Sequence, residues 1–270
     1  MEMLEQAAGV LTAVRKKKPL VHHITNYVTV NDCANIALAL GASPVMADDI
    51  GEVEEMVSLA AALVINMGTM NTRTIKSMLA AGKRAKERNV PIVFDPVGVG
   101  ATTMRTLTAA KIINEVKPDV IRGNMAEIKL LAGLKTAIRG VDSVDGDEDG
   151  KAVAITLANK LRCVVAITGK RDVIAGGEKV YVIDNGHSLL ASVTGTGCMA
   201  TTLVGGCCGV VSDLLVGAVA GIMIMGLAGE IANKSLEADD GLGMFRVRLF
   251  DAVSKMTSEI VLQGGRVSEG

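Results

Sequence analysis

The chain has 270 residues, enough for one large α/β domain, and no Pro/Gly/Ser-rich linker divides it. Apolar residues make up 49% but aromatics only 2%, with no Trp. Val, Ile, Leu, Met and Ala must therefore fill the core, and nucleic-acid binding by base stacking is disfavoured. A formal net charge of -1 supplies no field to gather polyanions or anionic membranes.

The first stretch, MEMLEQAAGVLTAVRKKKP, carries acidic residues before its apolar part and basic ones after it. That order is the reverse of a secretory signal and reads as an amphipathic surface helix. Pro19 to Thr25 has strand character, Val28 to Leu40 shows helical spacing ended by Gly41, and Ser43 to Met46 is a brief strand. Glu52 to Ala61 reads as helix and Ala62 to Met67 as a fully buried strand. Thr72 to Asn89 is an amphipathic helix with cations near its C-terminus, where the dipole favours them. The alternation continues with strand Pro91 to Asp95, helix Thr103 to Val116, strand Asp119 to Arg122 and helix Met125 to Ala132.

Gly140 to Gly150, acidic and polar, is expected as an exposed loop, followed by helix Lys151 to Leu161 and strand Cys163 to Thr168. Arg171 to Ala175 and Lys179 to Asp184 form an expected hairpin. From Thr196 to about Gln263 the sequence reads as helical throughout. Leu203 to Gly229 is apolar enough to span a bilayer, but Ser212-Asp213 reads better as the N-cap of a second helix, giving two buried helices packed through glycines. Strands separated by helices imply βαβ crossovers and a mainly parallel sheet within a single domain spanning residues 1–270.

In such sheets ligands collect at the carboxyl ends of the strands. Four apolar strands end in polar or glycine-rich sequence there: Asn66-Met-Gly-Thr69, Asp95-Pro-Val-Gly-Val-Gly100, Arg122-Gly-Asn124 and Thr168-Gly169. Asp95 and Glu127 are oxygen ligands suited to Mg²⁺, directly or through water, and Arg122 suits phosphate. The alternative for the two carboxylates is capping, Glu127 of its own helix beside Asn124 and Asp95 of a turn before Pro96. The stretch ASVTGTGCMATTLVGG adds a helix N-terminus at Gly195, Thr196, Gly197 and Cys198. Its free amides and positive dipole end form an anion hole with a thiol at the rim. The bland reading is a helix start capped by Thr194 or Thr196, with Cys198 buried as a small apolar group.

Together HHITNYVT, SPVMAD, NMGT, VFDPVGVGAT, IRGNMAEI, AITG and ASVTGTGC resemble hydroxyethylthiazole kinase of thiamin salvage, within the ribokinase-like superfamily, from about Pro19 to about Gly206. The resemblance implies a ribokinase-like fold and transfer of the ATP γ-phosphoryl group to the primary alcohol of 4-methyl-5-(2-hydroxyethyl)thiazole, with Mg²⁺. It also implies a homotrimer with sites at subunit interfaces. By motif match Arg122 and Thr168 contact ATP, Asp95 and Glu127 organise Mg²⁺ and phosphates, and Met46 and Gly195 meet the thiazole. Asn26 and Gly68 match nearby pocket positions. Cys198 occupies the place of the catalytic Asp of related sugar kinases, where a thiol of lowered pKa at a helix N-terminus would accept or orient the alcohol's proton.

A related vitamin kinase acting on hydroxymethylpyrimidine or pyridoxal remains the alternative, since it would share the anion hole and the carboxylates. A thiol hydrolase using Cys198 as nucleophile would need an oriented His base. None of the three histidines lies in an evident partner motif. His22 and His23, adjacent on a strand, face opposite sides and cannot share a metal, and His187 is expected to be exposed. Five cysteines (Cys33, Cys163, Cys198, Cys207 and Cys208) without CxxC or zinc spacing are read as free thiols of a reducing cytoplasm.

Overall fold

In a computed structural model, residues 2–133 and 147–270 are described. The chain runs α1 (Glu2–Lys17), β1 (Leu20–Ile24), α2 (Val30–Leu40), β2 (Ser43–Val45), α3 (Val53–Leu59), β3 (Ala62–Asn66), α4 (Thr72–Glu87), β4 (Ile92–Asp95), α5 (Thr103–Glu115), β5 (Val120–Asn124), α6 (Met125–Ala132), α7 (Asp147–Leu161) and β6 (Val164–Thr168). It continues through the hairpin β7 (Asp172–Gly176) and β8 (Lys179–Ile183) to α8 (Thr196–Cys208), α9 (Leu214–Lys234), α10 (Leu242–Lys255), α11 (Ser258–Gly264) and β9 (Val267–Glu269).

These strands form one sheet in the order β2-β1-β3-β4-β5-β6-β7-β8-β9. Pairing is parallel from β2 through β6 and antiparallel from β6 through β9. Every residue of β3 and β4 is buried, as their unbroken apolar runs require of strands covered on both faces. One face packs against α1, α2, α8, α9 and α10, the other against α3 to α7. Register opposes Asn66 to Asp95 and Asn124 to Thr168, so the four polar strand ends share one edge.

The apolar stretch after Thr196 divides as its Ser-Asp pair predicts. Asp213 caps α9 by accepting a 3.0 Å hydrogen bond from the Leu215 N–H. Helix α9 is long and apolar enough to cross a membrane, but 83% of its apolar window is buried inside the protein. It lies against α8 through Gly217 and Gly221. A Cβ at Gly221 would stand 2.6 Å from the Val204 backbone, and one at Gly217 2.9 Å from Cys208 Sγ.

Several boundaries differ from expectation. Helix α2 begins at Val30, because Tyr27, Val28 and Thr29 form a turn that leaves Tyr27 77% exposed at the sheet edge. Helix α7 begins at Asp147, so the end of the expected acidic loop is helical, and residues 140–146 lie outside the described residues. Two short elements lie outside the stretch expected to be helical. A 3-10 turn at Ser188–Ser192 precedes α8, and β9 pairs with β8, a three-residue segment too short to carry a periodic signal.

Candidate active site

Asp95 ends β4 with its side chain fully buried. Its Oδ2 accepts hydrogen bonds from Asn66 Nδ2 at 2.9 Å and Thr201 Oγ1 at 2.7 Å, and stands 3.7 Å from Arg122 Nη1. Oδ1 has no partner. Burial outweighs the Arg122 guanidinium, and the carboxyl is pushed up to about 6. Thr201 reaches Asp95 from the first turns of α8, so the acidic strand end and the Gly-Thr-Gly turn lie on the same side of the sheet.

Helix α8 starts without a side-chain cap. Gly195 adopts φ +87° as its N-cap, and a Cβ there would stand 2.5 Å from Thr29 Cγ2. The Thr196 hydroxyl donates backwards to the Leu190 carbonyl at 2.7 Å instead of serving the helix, so neither threonine caps it. The amides of the first turn therefore face a cleft of about 400 Å³ lined by Asn26, Thr29, Gly68, Asp95, Arg122, Glu127, Gly195 and Cys198, among others. Arg122 crosses directly over this turn. A Cβ at Gly197 would stand 2.7 Å from its Nη1, while its Nη2 donates to Thr168 Oγ1.

Cys198 sits among amides. Asn26 Nδ2 and Asn66 Nδ2 donate to its sulfur at 3.3 and 3.2 Å. Asn26 Nδ2 also donates to Asn66 Oδ1 at 3.0 Å, and Asn26 Oδ1 accepts from the Thr29 N–H and hydroxyl. Both carboxamides are thus fixed in orientation, since each amide face is matched to a group of one polarity. The thiol does not have the lowered pKa expected of a helix N-terminus. Burial and then the nearby Asp95 raise it above the ordinary cysteine value, beyond what the amides recover.

Glu127 caps its own helix, as the capping alternative has it. It forms a capping box with Asn124, its Oε2 accepting from the Asn124 N–H at 2.9 Å, and its Oε1 accepts from the Gly98 N–H at 2.8 Å. It lines the cleft while holding the loop after β4. Met46 lines a neighbouring pocket of about 270 Å³ with His23, Tyr27 and Met78, which meets the cleft at Thr69. Thr168 reaches the cleft only through Arg122. His22 and His23 are buried, with Nε2 of the first 2.7 Å from the Ala47 carbonyl and Nδ1 of the second 3.0 Å from that of Val21. His187 is half-buried, accepting from the Leu189 N–H at 3.3 Å, rather than exposed.

Thr201, Thr29 and Arg105 belong to the site without having been singled out by sequence, and Asn66 was singled out only as the polar end of its strand. Thr201 was legible, being four residues after Gly197 and so on its helix face. Thr29 and Arg105 act through turns that carry no periodic signal. Among the described residues no three His, Cys, Asp or Glu side chains gather as a metal cage. The unpartnered Asp95 Oδ1 nevertheless suits Mg²⁺, which takes one or two carboxylates and completes its shell with water and phosphate oxygens.

Comparison with known proteins shows the family. A profile described as the Hydroxyethylthiazole kinase family matches residues 11–259. The hydroxyethylthiazole kinase of Alkaliphilus oremlandii (strain OhILAs) is 55% identical over 270 residues, covering 100% of each chain. The solved hydroxyethylthiazole kinase of Pyrococcus horikoshii OT3 is 38% identical and superposes with a TM-score of 0.89, covering 100% of both. A pyridoxal kinase from Staphylococcus aureus in complex with ADP, at 14% identity and a TM-score of 0.65 over 94% of this chain and 99% of its own, shows the fold alone. The architecture is the ribokinase-like one that the motifs led us to expect. With its strand-end carboxylates, its open helix start and full-length relatives of this similarity, the chain belongs to the hydroxyethylthiazole kinase family.

Proposed function

We propose that the protein transfers the γ-phosphoryl group of ATP to the primary alcohol of 4-methyl-5-(2-hydroxyethyl)thiazole, a step of thiamin salvage. The observation that carries this reading is the meeting of Asp95, Arg122 and the uncapped start of α8 in one cleft. Phosphoryl transfer passes through a loose transition state, so positioning and charge neutralisation do most of the work. Arg122, braced by Thr168, and the amides of Thr196, Gly197 and Cys198 stabilise negative charge on the phosphates. Asp95 and Glu127 organise Mg²⁺, which when bound neutralises phosphate oxygens. Asn26, Gly68, Met46 and Gly195 form the thiazole side.

Cys198 acts by orientation. A thiol held protonated at neutral pH is a poor base, whereas its sulfur, fixed by two carboxamides, sets where the substrate hydroxyl lies. The apolar rim residues Tyr27 and Val28, and Leu242, Met244 and Val247 on α10, are exposed as surfaces that further copies would cover, in keeping with a homotrimer whose sites lie at its interfaces. The unpaired cysteines are in keeping with the cytoplasm. Incubation with Mg-ATP and the thiazole alcohol, with hydroxymethylpyrimidine and pyridoxal in parallel, tests the reading. The thiazole monophosphate is expected as the favoured product, and its absence while another alcohol is phosphorylated overturns the assignment.

A further inference from the structure

Arg105, on α5, faces no carboxylate among the described residues. Its guanidinium instead ties together two loops. Nη1 donates to the Met67 and Val97 carbonyls at 2.9 and 2.7 Å, and Nη2 donates to the Gly68 carbonyl at 2.5 Å. The first loop follows β3 and the second follows β4, so one cation sets three peptide planes at the rim of the cleft.

In a trans peptide the N–H points opposite to the C=O. Turning three carbonyls towards Arg105 therefore turns three amides away from it. Two of these amides have an acceptor in the protein. The Gly68 N–H is taken by Asn66 Oδ1 at 2.9 Å and the Gly98 N–H by Glu127 Oε1 at 2.8 Å. The third, of Thr69, meets no acceptor among the described residues. Thr69 lines both the cleft and the adjoining Met46 pocket, and its hydroxyl is engaged by the Tyr27 N–H at 3.1 Å.

We infer that Arg105 is a positioning residue that presents the Thr69 amide to a hydrogen-bond acceptor of the alcohol substrate. The inference rests on the kinase reading above and deepens it. Arg105 does not touch the reacting atoms. It acts through the peptide between Gly68 and Thr69, and Lys is a poor substitute because a point charge cannot span three carbonyls as a planar fork does.

The test joins kinetics with the Thr69 amide resonance in ¹⁵N-labelled protein. In the wild type, the alcohol added without ATP should move that resonance. In Arg105→Met the shift should be lost and KM for the alcohol should rise by about tenfold, the worth of one well-made hydrogen bond, with KM for ATP unchanged. Guanidinium ion added to Arg105→Gly should restore part of the lost alcohol affinity. A merely structural role would lower thermal stability and kcat while leaving KM for the alcohol alone, and that result overturns the inference. So does a Thr69 resonance unmoved by saturating alcohol in active wild-type enzyme, a measurement that stands even if the variants fail to fold. Failure of the wild type to phosphorylate the alcohol would instead strike the kinase reading.

Discussion

At Cys198 burial and the nearby Asp95 oppose the hydrogen bonds of Thr29, Asn26 and Asn66, and burial prevails. Cys198→Ala should therefore lower kcat by about tenfold through lost placement of the hydroxyl, without altering the pH profile of kcat over the neutral range. A thiolate base would have imposed a thiol titration on that profile. Gly197 offers a second residue-scale test. A methyl group there would meet the end of Arg122, a side chain able to swing away, so Gly197→Ala should fold normally yet raise KM for ATP several-fold, measurable by steady-state kinetics. Asp95, Glu127, Arg122 and the Gly195 turn were legible in the sequence because each ends an apolar strand or opens a helix. Asn66 was legible as a polar strand end but its contacts with Cys198 and Asp95 were not, and Arg105 was not legible at all, because the carbonyls it meets lie on loops whose course no periodicity records.

The helices α8 and α9 show where an element's pattern speaks clearly. A continuous apolar stretch resolved into two buried helices because one aspartate within it caps the second, and Asp213→Ala should cost about 1 kcal/mol in denaturant unfolding. Gly221→Ala should cost more, roughly 1–3 kcal/mol, because the added carbon would press on backbone that cannot move as a side chain can. Equal losses in the two variants would contradict this packing. The short β9 and the early start of α7 escaped the sequence reading for the opposite reason. Three residues carry no period, and a run of Asp, Glu and Gly resembles a loop until its helix is seen.

Across the whole molecule, two buried groups pull the pH dependence of stability in opposite directions. His23 is held neutral, its pKa lowered by burial from 6.5 to about 4, so the unfolded chain binds more protons between those values and stability falls as pH drops through them. Asp172, which accepts from the Gly169 N–H, is pushed by burial from 3.8 to about 7, so the folded chain binds more protons there and stability falls as pH rises. Each pKa unit corresponds to about 1.4 kcal/mol. Relative to wild type, Asp172→Asn should gain stability progressively as pH rises across that window, and His23→Gln as pH falls, both read from denaturant midpoints. The carboxamide of Asn66, wedged between Cys198 and Asp95, has a slower consequence. Hydrolysis of that amide during storage would set two like carboxylates side by side and reverse the polarity felt by the sulfur. Ageing would then silence the catalyst while leaving its shape intact, so that in old preparations the loss of turnover should follow the fraction of deamidated Asn66 peptide found by mass spectrometry.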